Sequence, residues 1–249
     1  MPRQQISDQL WLKFRTVLID CGVYGKTGLR FTVEGILYKL RTGCPWRDVP
    51  NFFGNWNAIF KRFNEWSLQG KLKDIFFLFS HDHDNEWTFV DGSVVKAHQH
   101  SSGAAYAAET AIGKSVAGNS TKIHLAVDSM GLPICFTITG GEVHDSKEAQ
   151  NLINKIPVLE ILIADKGYDS EILRESIAKQ GAQSFIPRKS NSIIGNENMD
   201  WCLYKYRHLV ENAFARLKHF RSIATRYDKL KRNYEGMLYL ACSIIWLPM

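Results

Sequence analysis

Leu159-Glu160-Ile161-Leu162-Ile163-Ala164-Asp165 is a near-continuous apolar run closed by a carboxylate. A strand of that composition is buried on both faces, the condition of a parallel sheet covered by helices. Trp87-Thr88-Phe89-Val90-Asp91 repeats the pattern, with Asp91 expected at the strand's end. Between them, Lys122-Ile123-His124-Leu125-Ala126-Val127 and residues 132–139 read as two strands joined by the tight turn Asp128-Ser129-Met130-Gly131. Helices are predicted over 146–156 and 170–180, a strand over 183–186, and helices over 205–220 and 233–246. Three strands, a helix, a strand, a helix, a strand and a helix make a mixed α/β sheet with helices on its faces. The Gly-, Ala- and Ser-rich residues 99–120 read as a mobile loop.

The first eighty residues keep a different rhythm. Ser7 caps a predicted helix whose Leu10, Phe14, Val17 and Leu18 share a face. A second helix spans 32–40, with Ile36, Leu37 and Leu40 inward and Gly43 as its stop. Asn55 caps a third, with Trp56, Ile59, Phe60, Phe63 and Trp66 on one stripe and Gly70 at its end. Basic Arg41, Arg47, Lys61 and Arg62 fall at exposed positions. The pattern suits a helix-turn-helix-like DNA-binding module, and equally a helical subdomain that only packs against the rest. His81-Asp82-His83-Asp84-Asn85-Glu86 breaks the pattern and reads as a solvated linker.

The formal net charge of +6 is unevenly placed. Residues 1–80 hold 12 Lys/Arg against 6 Asp/Glu, and the remainder is balanced. Inside that remainder, residues 205–232 carry nine basic residues against Glu211 and Asp228. Two separated basic zones suit a polyanion touched in two places. No apolar run reaches the ~18–20 residues of a bilayer span, and the N-terminus lacks a signal-peptide layout. The five cysteines are scattered without a CxxC pair, so zinc ribbons and disulfide frameworks are unsupported and reduced thiols in the cytoplasm are expected. No Walker or GxGxxG loop is present, so nucleotide hydrolysis is not indicated.

In α/β sheets the C-terminal strand edge is where ligands and chemistry sit, and both Asp91 and Asp165 stand there. Each alone reads first as a turn or helix cap. On the helix predicted over 205–220, Tyr204, Arg207, Glu211 and Lys218 fall within one ~60° arc. Tyr206, Leu209, Val210, Ala213, Leu217 and Phe220 form its apolar face. Arg207 and Glu211 can be a simple i,i+4 pair. If that helix crosses the sheet edge, three carboxylates converge beside cations suited to phosphate. Such a set holds Mg²⁺, a hard cation with a preference for oxygen ligands. Two such ions, ~3.5–4 Å apart, clamp the attacking and leaving oxygens of an in-line phosphoryl displacement.

With those residues in place the chain resembles the DDE-type transposases of bacterial insertion sequences, the insertion sequence five group, over nearly its whole length. The likeness is carried by Leu40-Arg41-Thr42-Gly43-Cys44-Pro45-Trp46-Arg47-Asp48-Val49-Pro50, by Phe53-Gly54-Asn55-Trp56 and by Arg62-Phe63. It continues in Val90-Asp91-Gly92-Ser93 and Ala164-Asp165-Lys166-Gly167-Tyr168-Asp169. Tyr204, Arg207, Glu211 and Lys218 match the family's Tyr-x2-Arg-x3-Glu-x6-Lys signature in full. The loop from 188 to 203 leaves no room for the large β insertion of some relatives.

The resemblance implies a ribonuclease-H-like mixed sheet with flanking helices at 87–249, preceded by a small all-α domain at 1–80 and a linker at 81–86. It implies Asp91, Asp165 and Glu211 as catalytic metal ligands for Mg²⁺ or Mn²⁺, two ions in all. Arg207, Lys218 and Tyr204 would meet phosphate and DNA near the cleaved bond, and Arg41, Arg47, Lys61 and Arg62 would bind DNA. The expected activity is cleavage at terminal inverted repeats of double-stranded DNA and strand transfer into target DNA, by a homo-oligomer assembled on DNA in the cytoplasm, at the nucleoid. The alternatives are a decayed, non-catalytic protein that occupies repeat ends, and a plain metal-dependent nuclease. Asp169 is expected to cap the helix that follows it, and His98, His100, His124 and His144 to be structural.

Overall fold

The computed structural model describes residues 4–101, 110–116 and 118–249. In chain order its helices are α1 (Asp8–Asp20), α2 (Leu29–Thr42), α3 (Trp56–Leu68), α4 (Lys71–Phe79), α5 (Asp145–Ile153), α6 (Glu171–Lys179), α7 (Trp201–Tyr204), α8 (His208–Lys218), α9 (Arg221–Ala224) and α10 (Lys231–Trp246). Its strands are β1 (Thr88–Ala97), β2 (Gly113–Ser115), β3 (Gly118–Val127), β4 (Pro133–Gly140), β5 (Ile161–Ala164), β6 (Gln183–Phe185) and β7 (Thr225–Arg226). Packing groups 1–81, 97–110 and 216–249 into one compact unit, and 82–96 with 111–215 into another. The predicted linker falls at one edge of this division, while residues 87–249 are shared between both units.

The first unit is helical because its apolar residues recur at helical spacing and its ends are capped. Ser7 Oγ accepts the Leu10 N–H to start α1, and Asn55 Oδ1 accepts the N–H groups of Asn57 and Ala58 to start α3. Gly43, at φ 70°, ends α2. The unpredicted helix α4 follows at once from the left-handed Gly70, where Leu72, Ile75 and Phe76 restart a buried stripe. α10 packs on α3 and α4, with Gly236 set close against Ser67 and Leu72, and its Tyr234, Met237, Leu238 and Ala241 are fully buried. That apolar face is why the last helix belongs with the N-terminal ones. α2 and α3 approach closely at Gly35, where a β-carbon would stand 2.9 Å from Ile59 Cδ1 and 3.1 Å from Phe53 Cβ.

The second unit is built on a mixed sheet in the order β2-β3-β1-β5-β6, with β4 also on β3. β1, β3 and β4 are antiparallel, and β1, β5 and β6 are parallel. This is the ribonuclease-H-like arrangement expected. Val90, Ala126, Leu162 and Ala164 face α5 and α6 and share a core with Ala149, Leu152, Leu173 and Ile177. The hairpin turn is fixed by Asp128, whose Oδ1 accepts the N–H groups of Met130 and Leu132.

Some local expectations need correcting. Asp91 does not end its strand: β1 runs on to Ala97, because beyond Val90 the parallel ladder to β5 stops while the antiparallel ladder to β3 continues. The loop expected over 99–120 lies in part outside the described residues, and its far side forms β2 and the start of β3. The helix predicted over 205–220 starts earlier, at α7, where Asp200 Oδ1 accepts the Leu203 N–H, and a 3-10 turn at Lys205–Arg207 separates α7 from α8. Tyr206, placed on the apolar face in sequence, is exposed and rests against Trp87 with ring centroids 5.7 Å apart. Trp56, placed on the apolar stripe of its helix in sequence, is only partly buried, as is Trp46. Among the described residues no helix is long and apolar enough to cross a membrane.

Candidate active site

Phe89 pairs with Ile163 across the parallel β1–β5 ladder. Asp91 and Asp165 each follow two residues later, and side chains two apart in a strand share a face. The two carboxylates therefore project from the same side of the sheet, opposite α5 and α6. Asp165 is held by its own turn, its Oδ1 accepting the Gly167 N–H at 2.8 Å. Asp91 Oδ1 accepts the Gly92 N–H at 2.8 Å.

Arg207 joins this pair to the helical segment. Its Nη1 donates to Asp91 Oδ2 at 2.7 Å, and its Nη2 donates to Glu211 Oε1 one turn further on. The 3-10 turn before α8 points the guanidinium back at β1 while Glu211 stays 53% exposed. Tyr204 precedes Arg207 on α7 and senses the same charges: burial raises its hydroxyl's pKa, Arg207 lowers it, and Asp165 and Asp91 raise it. Lys218 closes α8, two turns beyond Glu211.

The electrostatics follow from burial and like charge. Burial pushes the Asp91 carboxyl above the ordinary value of 3.8; the Gly92 N–H and Arg207 pull it back, and the nearby Asp165 adds to the rise. Arg207 lies on the other side of the same balance. Burial would lower it, but Asp91 and Glu211 leave it raised.

The donor set is all oxygen and carries three negative charges, which suits a hard divalent cation. As the side chains stand, no three His, Cys, Asp or Glu among the described residues are grouped closely enough to hold a metal ion. Arg207 is the positive group drawn between two of the carboxylates. The exposed Glu211 has the freedom to turn, so the residues present fit the cation in kind.

Sequence reasoning passed over a second cluster on the opposite face. Asp145, at the start of α5, lies against the Cα of Gly92, directly beside Asp91 in the chain. Lys122 Nζ donates to the Val143 carbonyl at 2.8 Å and stands 3.5 Å from Asp145 Oδ1. Lys122 is thus tied down beside Asp145. The Nδ1 of buried His124 is 3.3 Å from Asp145 Oδ1. The hydroxyl of Tyr168 is buried without a hydrogen-bond partner, and its pKa is raised well above 10 by burial first, then by Asp145, Asp91 and Asp165. No motif marks Asp145; only the register that sets Gly92 against His124 reveals it.

Asp169 does not cap α6: its Oδ1 accepts from Arg174 at 2.9 Å and its Oδ2 accepts the Lys189 N–H. Of the basic residues expected to meet DNA in the first unit, Arg41 lies 3.5 Å from Gln5 Oε1 and Arg47 lies over the Trp56 ring. Arg62 pairs with Glu65 at 3.0 Å, and Lys61 is exposed on α3. Within the same unit, His98 stacks on Tyr227 with centroids 4.5 Å apart.

A family model described as "Transposase DDE domain" matches residues 82–246, and one described as "Putative transposase of IS4/5 family" matches residues 6–76. The chain is 38% identical over 130 residues to a Brucella ovis protein named "Putative transposase for insertion sequence element IS6501", covering 51% of this chain and 98% of the relative. It is 29% identical over 136 residues to a Burkholderia cepacia protein named "Putative transposase for insertion sequence element IS402", covering 50% and 62%. Among solved structures, a piggyBac transposase synaptic complex with hairpin DNA aligns at 11% identity and a TM-score of 0.35, over 77% of this chain and 46% of that one. A likeness that remote carries no argument about the site.

Proposed function

The chain belongs to the transposase DDE-domain family, and from that premise we propose that Asp91, Asp165 and Glu211 are the carboxylates that carry out its DNA strand cleavage and transfer. The observation that supports this reading is the linkage of the β1 aspartate to the helix glutamate through Arg207, with Asp165 projecting from the same face. Those three carboxylates would hold Mg²⁺ or Mn²⁺, two ions in all. When bound, such a cation lowers the pKa of an attacking water or 3′-hydroxyl and stabilises the departing oxyanion.

The chain's own residues supply the rest. Asp165, locked by the Gly167 N–H, presents a fixed carboxylate edge. Arg207 and Lys218 would neutralise phosphate charge, Arg207 through a fork that suits two oxygens at once. Tyr204, beside Arg207, would position the strand at the cleaved bond. The substrate would be double-stranded DNA at terminal inverted repeats and then target DNA, met by a homo-oligomer. Arg41, Arg47, Lys61 and Arg62 would contribute backbone contacts from the helical domain at 1–80, joined by the 81–86 linker to the catalytic domain at 87–249.

The test is a strand-cleavage assay on DNA carrying the element's own ends, run with Mg²⁺, with EDTA, and with Glu211→Gln. Nicking at the repeat boundary that needs the metal and disappears in the variant is the expected result. Specific end binding without cleavage in Mg²⁺ or Mn²⁺ would replace this reading with a binding-only protein. Cutting without joining to target DNA would replace it with a plain nuclease.

A further inference from the structure

The guanidinium of Arg207 and a divalent cation draw on the same oxygens. Asp91 Oδ2 already accepts from Arg207 Nη1 at 2.7 Å, and Glu211 Oε1 accepts from Nη2. Asp91 Oδ1 is engaged by the Gly92 N–H, and Asp165 Oδ1 by the Gly167 N–H. Those amides are backbone, held by β1 and by the turn after β5. The side chain of Arg207 can leave, since it hangs from a long flexible stem and one of its two partners is half-exposed. As the side chains stand, no three acids among the described residues are close enough together for a metal ion.

We infer that Arg207 is a built-in counter-ion that closes the Asp91–Glu211 pair, and that divalent-cation binding exchanges it out of that pair, freeing its fork for phosphate. The inference rests on the proposed role of these carboxylates as metal ligands. Its physical basis is that two positive groups cannot both sit within ion-pair distance of the same oxygens without repelling one another. A guanidinium at this place offsets the repulsion between the two carboxylates before a metal is bound. Once displaced, it still sits in the turn directly before α8, four residues from Glu211, where it can meet phosphate.

The experiment is metal titration of DNA-free protein by calorimetry with Mn²⁺, comparing wild type, Arg207→Gln, Arg207→Lys and Asp91→Asn. Removing a charge that competes a few ångströms from the bound cation should tighten Mn²⁺ binding on the order of tenfold in Arg207→Gln. Arg207→Lys, with a single ammonium nitrogen in place of a fork, should fall between it and wild type, and Asp91→Asn should bind weakly. A second readout needs no destabilising change. In protein labelled with ¹⁵N-arginine, the side-chain signal lost in Arg207→Lys should report a restrained guanidinium that becomes mobile when Mg²⁺ is added. Unchanged or weaker Mn²⁺ binding in Arg207→Gln, or a restrained Arg207 signal that ignores saturating Mg²⁺, overturns the inference while the metal-holding role stands. Wild-type protein that takes up no Mn²⁺ at millimolar concentration overturns that role, and the inference with it.

Discussion

The carboxylate of Asp145 lies so close to Gly92 that a β-carbon there would collide with Asp145 Oδ1. Glycine is thus required next to Asp91 by packing, with no call on unusual backbone angles. Asp145 cannot simply swing aside, because Lys122 and His124 stand against it. Gly92→Ala should therefore destabilise the protein by about 1–3 kcal/mol, as overpacking does in a filled site. Removing the obstacle should relieve it, so Gly92→Ala combined with Asp145→Ala should cost less than the two single changes added together. Urea denaturation of the four proteins measures this; strict additivity would mean the two residues do not meet.

The same aspartate should shape the acid limb of stability. Burial works to raise the Asp145 carboxyl, but His124 and Lys122 together outweigh it and leave its pKa below the ordinary 3.8. A depressed folded-state value means the ionised carboxylate stabilises the fold above the unfolded value, and that this contribution drains as pH falls through the folded one. Asp145→Asn should accordingly be less stable than wild type at pH 7, with the gap closing below about pH 4. Denaturation curves at a series of pH values test it. A gap that stays constant into strong acid would show that packing, and not charge, carries the difference.

Where chain composition alone determines an element, it could be read directly. The β5 run could only be a doubly buried strand, and Ser7 and Asn55 cap the helices they announce. Asp91 and Asp165 stand out in sequence as carboxylates that follow apolar strand runs, and Arg207 and Glu211 as members of the spaced signature that Tyr204 and Lys218 complete. What escaped depends on partners distant in the chain. β1 extends past Asp91 because β3 continues to pair with it, α4 restarts at a left-handed Gly70, and Tyr206 turns outward to meet Trp87. The Asp145 cluster is set by the register of Gly92 against His124, which no local pattern encodes.

Asp165 carries two roles that substitution can separate. Its Oδ1 accepts the Gly167 N–H and closes the turn after β5, a structural duty that asparagine can perform. Its charge serves the proposed cation site, which asparagine cannot. Asp165→Asn should abolish strand cleavage while leaving stability near wild type, and Asp165→Ala should abolish cleavage and lose about 1 kcal/mol as well. Thermal unfolding beside the cleavage assay distinguishes them. Equal destabilisation by both variants would refute the capping role, and surviving cleavage in either would refute the catalytic one.

Lys218 is a point charge at the end of α8, exposed and two turns from Glu211. A residue that contacts phosphate adds affinity without reading sequence, because it acts through the counterions that its contact releases. Lys218→Ala should therefore weaken binding to repeat-end and unrelated DNA by the same factor. It should also lower the slope of log affinity against log salt concentration by about 1. Asp145→Asn, which removes no cation, should leave that slope unchanged. Fluorescence anisotropy over a range of salt concentrations measures both. If Lys218→Ala weakens binding to the repeat end alone, the lysine reads the end's bases or shape; if the slope does not move, it does not touch phosphate.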